Sequence, residues 1–418
     1  MVPAAVLSEE EIVNTQHPSA VIHPAVIIGA GHFGLAIAHE LQKRGLSVPV
    51  LDAADRVAAA WRHRHPQLRL NTHRLLSSLP GLRMPRRVGA FPSRDDVVRY
   101  LEAYEWRIDR PVEYRTRVRR IEPEGDHWRV ETERGTVLAE EVIVATGRER
   151  VPYIPDWAGR DGFTGELGSA ADIGNVSRYA GKRVLVVGCG TSGSDVLNHL
   201  AQVDTRELLV SVRHGPAVLP TRLLGLPIQL PSPLMTLLPP RVLDAVFRFT
   251  QRLVFGDLRK RGLPSHPDGA ATRLLREGVG PAFDQGFVAA LKAGRIRAVP
   301  PVQGFDGAQV VLADGSRVEA DVVICATGYR PGLESMVGHL GVLDGRGIPR
   351  TFGQAGGSAL PGLRFAGMTP RLTGQFLTAR SEARAITREL TNRQRSSERL
   401  GDAAPPAPAI ADAATETR

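Results

Sequence analysis

Cysteine is nearly absent from this chain: Cys189 and Cys325 are the only two in 418 residues, far apart and outside any CxxC pair. A redox dithiol and a cysteine-ligated zinc cluster are thereby excluded. Lysine is almost as scarce. Of the 53 basic residues only Lys43, Lys182, Lys260 and Lys292 are lysine, so arginine carries the formal charge of +9. Those arginines are scattered, with no dense basic run interleaved with aromatics, which argues against nucleic-acid binding. The start, MVPAAVLSEEEIVN, is acidic and lacks the charged-then-apolar order of a secretion signal. Long apolar runs are missing too. The longest stretch free of both charge and histidine, 223–240, holds five prolines and cannot form an ordinary membrane-spanning helix. No Gly-x-Ser-x-Gly elbow points to hydrolysis. His63 and His65 have no acidic or cysteine partner at ligand spacing, so no metal site is expected and both read as surface histidines. From these absences we expect a cytoplasmic, soluble protein.

What is present is a repeat. The length suits two domains, and short apolar strands alternate with helical segments, the pattern of an α/β fold with parallel sheets. A strand followed by a glycine fingerprint occurs at 26–34 (VIIGAGHFG) and again at 184–193 (VLVVGCGTSG). Each is matched, over a hundred residues later, by a strand ending in Ala-Thr-Gly: Ala145, Thr146 and Gly147, then Ala326, Thr327 and Gly328. Chain beyond Gly328 still contains strand and helix material. We therefore expect two Rossmann-like dinucleotide-binding domains, the second inserted into the first. The divisions are a leader 1–22, a first domain 23–175, a second domain 176–325 with an apolar insert 216–255, a return to the first domain at 326–391, and a disordered tail 392–418.

In the first fingerprint Gly29 makes the tight turn, Gly31 lets backbone approach a pyrophosphate, and Gly34 allows close helix–strand packing. The next strand ends at Asp52, placed to accept from a ribose hydroxyl. In the second fingerprint Gly188, Gly190 and Gly193 repeat these roles, with Thr191 and Ser192 opening the helix. Its second strand ends in Arg213 and His214 instead of an acid. Arginine there pairs with the 2′-phosphate of NADP, which a carboxylate would repel. The first site thus wants FAD and the second NADPH. The segment 216–255 is punctuated by proline and then helical. Val242, Val246, Phe249 and Leu253 fall on one stripe, which we expect to pack on the core, the alternatives being a substrate entrance, a membrane-surface face or a homodimer face.

These features, together with Trp61-Arg62, the segments 68–81, 91–104 and 281–296, and GLRFAG at 362–367, resemble the flavin-containing monooxygenase family, including the plant YUCCA-type and Baeyer–Villiger enzymes. The likeness spans roughly 24–390. It implies that Trp61, Arg62, Asn71 and Thr72 lie along the flavin, with Asn71 near its reactive edge as the residue for the oxygenation step. It further places Val118 by the adenine through its backbone, and Gly367 and Gln375 near the flavin. The implied activity is NADPH-driven transfer of one O2 atom, through a flavin (hydro)peroxide, to a small lipophilic or aromatic substrate. Two departures stand out. Ala58-Ala59-Ala60 replaces a glycine pair, and Ser169 stands where the family places a histidine, which keeps an NADPH oxidase releasing peroxide, or a non-catalytic flavin-binding redox partner, as alternatives.

Overall fold

The computed structural model describes residues 21–352 and 360–402, with side chains to residue 395. Two parallel sheets carry it. The first has the strand order Leu363–Phe365, Val142–Val144, Val26–Ile28, Val50–Leu51. The second runs Arg297–Val299, Glu207–Ser211, Arg183–Val187, Val322–Cys325, Glu166–Ser169. The inner strands of both sheets are short runs of buried Val, Ile and Leu, as a parallel sheet with both faces covered requires. Smaller antiparallel sheets flank each: 118–139 beside the first and 302–319 beside the second.

The chain completes the second sheet before Leu363–Phe365 returns to the first, so the second domain is an insertion. The two crossings touch. Val151–Pro152 on the way out pairs antiparallel with Tyr329–Arg330 on the way back. The first domain is built on helix His32–Gln42, which packs against helices Arg94–Glu105 and Gln375–Asp402. Ser93 and Asp96 form a reciprocal capping box at the start of the second of these, which sets its entry. The last helix is tied to the first sheet by charge: Arg364 Nε meets Glu141 at 2.9 Å and its Nη2 meets Glu389 at 3.0 Å.

Several expectations change. The division at 175–176 cuts too late, because Glu166–Ser169 is an edge strand of the second sheet, in register with Val322–Cys325. Its sequence, ELGS, has neither an apolar run nor a glycine fingerprint to announce it. The expected leader ends early: Ile22–His23 pairs in parallel with Leu138–Ala139, while residues 1–20 lie outside the described residues. The expected disordered tail begins as helix, which continues to Asp402. There Arg393 bonds Glu141 at 2.9 Å, a tertiary anchor that composition does not reveal. Residues 403–418 lie outside the described residues.

The helix Pro240–Phe255 is present, but the stripe expected to pack inward faces out. Val242, Val246, Phe249 and Leu253 are 46%, 42%, 69% and 68% exposed. Leu243 and Phe247 are buried instead, in a cluster with Leu219, Ala271 and Phe283. The deciding contact is polar. Asp244 Oδ1 accepts the Ala271 and Thr272 N–H groups at 2.7 and 3.2 Å, capping the helix Ala270–Glu277 from outside its own sequence. A buried carboxylate with those partners turns its own side of the helix inward.

Candidate active site

The first domain prepares an anion cradle. Gly29 has φ +105°, and a Cβ there would meet the Ala145 carbonyl oxygen at 2.8 Å. A Cβ on Gly34 would lie 1.8 Å from the Gly29 carbonyl oxygen. Backbone crowding forces glycine at both. Gly31 differs, since nothing lies within 4 Å of a Cβ built on it. That clear space adjoins the N-terminus of His32–Gln42, where neither a side-chain cap nor a first-turn acid occupies the free N–H groups. A pyrophosphate is the kind of group such an end binds. Asp52 is fixed beside it, its Oδ2 accepting from the Ala30 N–H at 2.6 Å and its Oδ1 from the Ala54 N–H at 2.7 Å. Each oxygen keeps a lone pair for a ribose hydroxyl. Ala145 is hydrogen-bonded to the adjacent strand at Ile28, and Gly147 follows it at φ +85°.

A second group of residues converges on the same helix start. A Cβ on Gly374 would strike the Thr72 methyl at 2.3 Å, so the Asn71–Thr72 loop lies against the start of the helix at Gln375. Thr72 is held by the Ser77 hydroxyl at 2.9 Å. Beside them His32 stacks on Phe376 with ring centres 4.9 Å apart, and Trp61 lies 6.1 Å from Phe376 and 6.4 Å from His32. Burial pushes the His32 imidazole down to about 4, so it is neutral at physiological pH. Gly367, at φ +76°, rests on the Phe33 ring and donates its N–H to Glu382 at 2.8 Å. Burial raises the Glu382 carboxyl to about 7.

The residues present fit a bound flavin nucleotide. Thr146 Oγ1, Gln375 Oε1, Arg371 Nε and His32 Nε2 are buried polar atoms without a partner among the described residues. Orphans of this kind cost about 1–3 kcal/mol each unless a ligand satisfies them. One expected residue is committed otherwise. Arg62 is held by Glu102 and by the Val57 carbonyl, the latter at 3.2 Å. The Val118 side chain is buried in the core, so the contact expected of it would come through its backbone. His32, Arg371, Phe376 and Glu382 were not anticipated. An imidazole inside a glycine fingerprint at position 32 was the one legible hint.

Ala58, in place of a glycine, adopts the left-handed conformation with φ 60° and starts the short helix that carries Trp61. Its buried methyl contributes about 0.8 kcal/mol, of the same order as the left-handed penalty, so alanine is tolerated. Ser169 is buried at the end of its edge strand, its hydroxyl accepting from the Ala171 N–H at 3.1 Å. It acts there as a turn residue.

The second domain repeats the cradle. Would-be Cβ atoms on Gly188 and Gly193 meet the Ala326 and Gly188 carbonyl oxygens at 2.6 and 2.1 Å, whereas the nearest atom to one on Gly190 is 3.7 Å away. The helix Thr191–Leu200 opens there without a side-chain cap, with Ser192 half-buried in its first turn. Thr191 Oγ1 donates to the Pro281 carbonyl at 3.0 Å. Ala326 bonds Val187, and Thr327 and Gly328 are tied to Tyr153 on the outgoing crossing. Arg213 and His214 are exposed two and three residues past Ser211, whose carbonyl accepts from the Gly188 N–H at 2.9 Å. Arg273 bonds the neighbouring Gly215 carbonyl at 3.2 Å, adding a second guanidinium. Arg148, just after the first Ala-Thr-Gly, reaches across to the Gly278 carbonyl at 3.5 Å, close to the open side of Gly190.

Of the two histidines read as surface residues, His63 is exposed and His65 requires a correction. His65 is 4% exposed, and its Nε2 lies 2.8 Å from Asp195 Oδ2. A residue 130 positions away supplies the acid that local spacing lacks.

Residues 26–216 match the pyridine nucleotide-disulphide oxidoreductase family. Cys189 and Cys325 are buried free thiols, pushed up to about 12 by burial, so neither is poised as a reactive thiolate. The chain is 31% identical over 379 residues to the probable indole-3-pyruvate monooxygenase YUCCA3 of Arabidopsis thaliana, covering 87% of this chain and 86% of that one. It is 32% identical to the indole-3-pyruvate monooxygenase YUCCA1 of Oryza sativa subsp. japonica, covering 89% and 93%. Among solved structures, a flavin-containing monooxygenase from Stenotrophomonas maltophilia superposes with a TM-score of 0.67 at 28% identity, covering 88% of this chain and 98% of that one. Two anion cradles, an acid beside one and an arginine beside the other, and relatives matched along nearly their full length agree: the chain belongs to the flavin-containing monooxygenase family and is an FAD- and NADPH-dependent monooxygenase.

Proposed function

We propose that this enzyme oxygenates a small aromatic or lipophilic carbonyl compound, with aromatic 2-oxo acids as the leading class, in the cytoplasm. Support for the class comes from the relatives, which are named indole-3-pyruvate monooxygenases, and from the apolar insert. The insert's buried cluster touches Leu372, next to the segment that meets Thr72. When bound, FAD supplies the redox and O2 chemistry with electrons from NADPH.

The chain's own residues then divide the work. Gly31 and the helix start behind it hold the FAD pyrophosphate while Asp52 takes the ribose. Arg213, backed by Arg273, selects NADPH by its 2′-phosphate. Trp61, neutral His32 and Phe376 wall one side of the flavin site and exclude water. Asn71 donates and accepts at the reacting edge. The observation that carries this reading is the meeting of the Asn71–Thr72 loop with Gly374–Gln375 at the mouth of the first cradle.

The test is Asn71→Asp. It should keep FAD bound, while NADPH consumption diverts to hydrogen peroxide as the side chain loses its donor and gains charge. Product formed per NADPH should fall by about tenfold or more. Full coupling in that variant would remove the role. Ser169 supports a second reading, an NADPH oxidase. Peroxide yield matching NADPH consumption in the wild-type enzyme, with aromatic 2-oxo acids present, would favour it.

A further inference from the structure

We propose that His65, Asp195 and His199 form a binding site for one divalent transition-metal ion, Zn²⁺ being the type cation, and that the ion bridges the two domains. His65 belongs to the loop after the short helix carrying Trp61, while Asp195 and His199 stand one turn apart on the second fingerprint helix. The donor geometry is close to what the ion needs. His65 Nε2 lies 2.8 Å from Asp195 Oδ2, His199 Nε2 lies 3.5 Å from Asp195 Oδ1, and one donor atom from each residue can be chosen so that all lie within 4.8 Å of one another. Donors around tetrahedral Zn²⁺ at its usual bond lengths sit about 3.4 Å apart. The two measured separations bracket that value, and the widest, within 4.8 Å, must close by up to about 1.4 Å.

The site is also prepared chemically. Asp195 turns one carboxylate oxygen to each imidazole, Oδ2 to His65 and Oδ1 to His199, so the three donors already face one another. The neighbouring cation does not compete. Arg64 turns its guanidinium to Tyr329, with Nη1 2.5 Å from the phenol oxygen and the group 4.9 Å above the ring. Two imidazoles and one carboxylate suit Zn²⁺, Co²⁺, Ni²⁺ or Cu²⁺, and disfavour Ca²⁺ and Mg²⁺. Three protein donors leave one position for water. None of the three side chains is assigned to either nucleotide. A bound ion would nevertheless fasten the loop bearing Trp61 to the helix that receives NADPH, restraining one domain against the other.

The experiment uses tag-free, chelator-treated holoenzyme with FAD bound. Equilibrium dialysis against Zn²⁺ should leave one equivalent per chain and raise the thermal midpoint. Co²⁺ in its place should show the visible bands of a four-coordinate ion. His199→Ala and Asp195→Asn should each weaken Zn²⁺ binding by about ten- to a hundredfold. Both variants should retain the circular dichroism and flavin absorbance of the wild type, so their loss of metal is not loss of fold. Zn²⁺ retained equally by both variants, or not at all by the wild type, would overturn the proposal.

Discussion

Gly31 and Gly34 stand three residues apart in one fingerprint and answer to different forces. At Gly34 the backbone itself fills the space of a side chain, so Gly34→Ala must move Gly29 or the helix, and the apoprotein should lose several kcal/mol. At Gly31 that space is clear. Gly31→Ala should leave the thermal midpoint of the apoprotein unchanged while weakening FAD binding by about tenfold or more, because the methyl intrudes on the pyrophosphate. Equal apoprotein losses in the two variants would show that the cradle reading is wrong. Arg213 permits a matching test in the second domain. A charge-assisted pair with the 2′-phosphate is worth about 1.5–3 kcal/mol, so Arg213→Ala should raise KM for NADPH by about ten- to a hundredfold and leave KM for NADH unchanged. Steady-state kinetics with both nucleotides distinguishes this from a general loss of binding.

At the scale of elements, the helix Pro240–Phe255 shows how an apolar period leaves orientation undetermined. It carries two apolar stripes, and either could face inward by sequence. Asp244, satisfied by Ala271 and Thr272, selects one of them. Phe247→Ala should therefore cost about 3–5 kcal/mol, while Phe249→Ala should change stability by less than about 0.5 kcal/mol. Urea denaturation of the pair reads the orientation directly, and the reverse ranking would refute it. The exposed stripe, flanked by Arg248 and Arg252, remains apolar surface. The edge strand Glu166–Ser169 teaches a related lesson. It owes its conformation to Val322–Cys325 rather than to its own residues, which explains why the domain division fell ten residues late.

Across the whole molecule, stability should vary with pH through a group that no motif announces. Glu382 is buried where the last helix meets the first domain, and its carboxyl is raised to about 7 from an ordinary 4.5. An acid raised in the folded state contributes stability in full below the unfolded value and loses it as pH climbs through the folded one. The wild-type protein should thus lose about 3 kcal/mol between pH 4.5 and 8 on this account. Glu382→Gln keeps an acceptor for the Gly367 N–H and removes the charge. It should be the more stable protein at pH 8, with the advantage shrinking below pH 5. An advantage that grew on acidification would contradict the sign. Among the described residues no helix is long and apolar enough to cross a membrane.

The two fingerprints, the two Ala-Thr-Gly endings and the insertion of one domain in the other were legible in the residues alone. They rest on clashes and hydrogen bonds spanning a handful of positions, such as Gly29 against Gly34, or on the order in which such units recur. Asp52 and Arg213 were legible for the same reason, being strand ends next to their turns. Only the tertiary structure decided what depends on distant partners: that His65 is buried against Asp195, that Arg393 extends the last helix by gripping Glu141, that Thr72 meets Gly374, and which stripe of 240–255 is covered. In each of these the energy comes from contacts across a hundred residues or more, or from a cap on another helix, and no local period or motif encodes where such partners will lie.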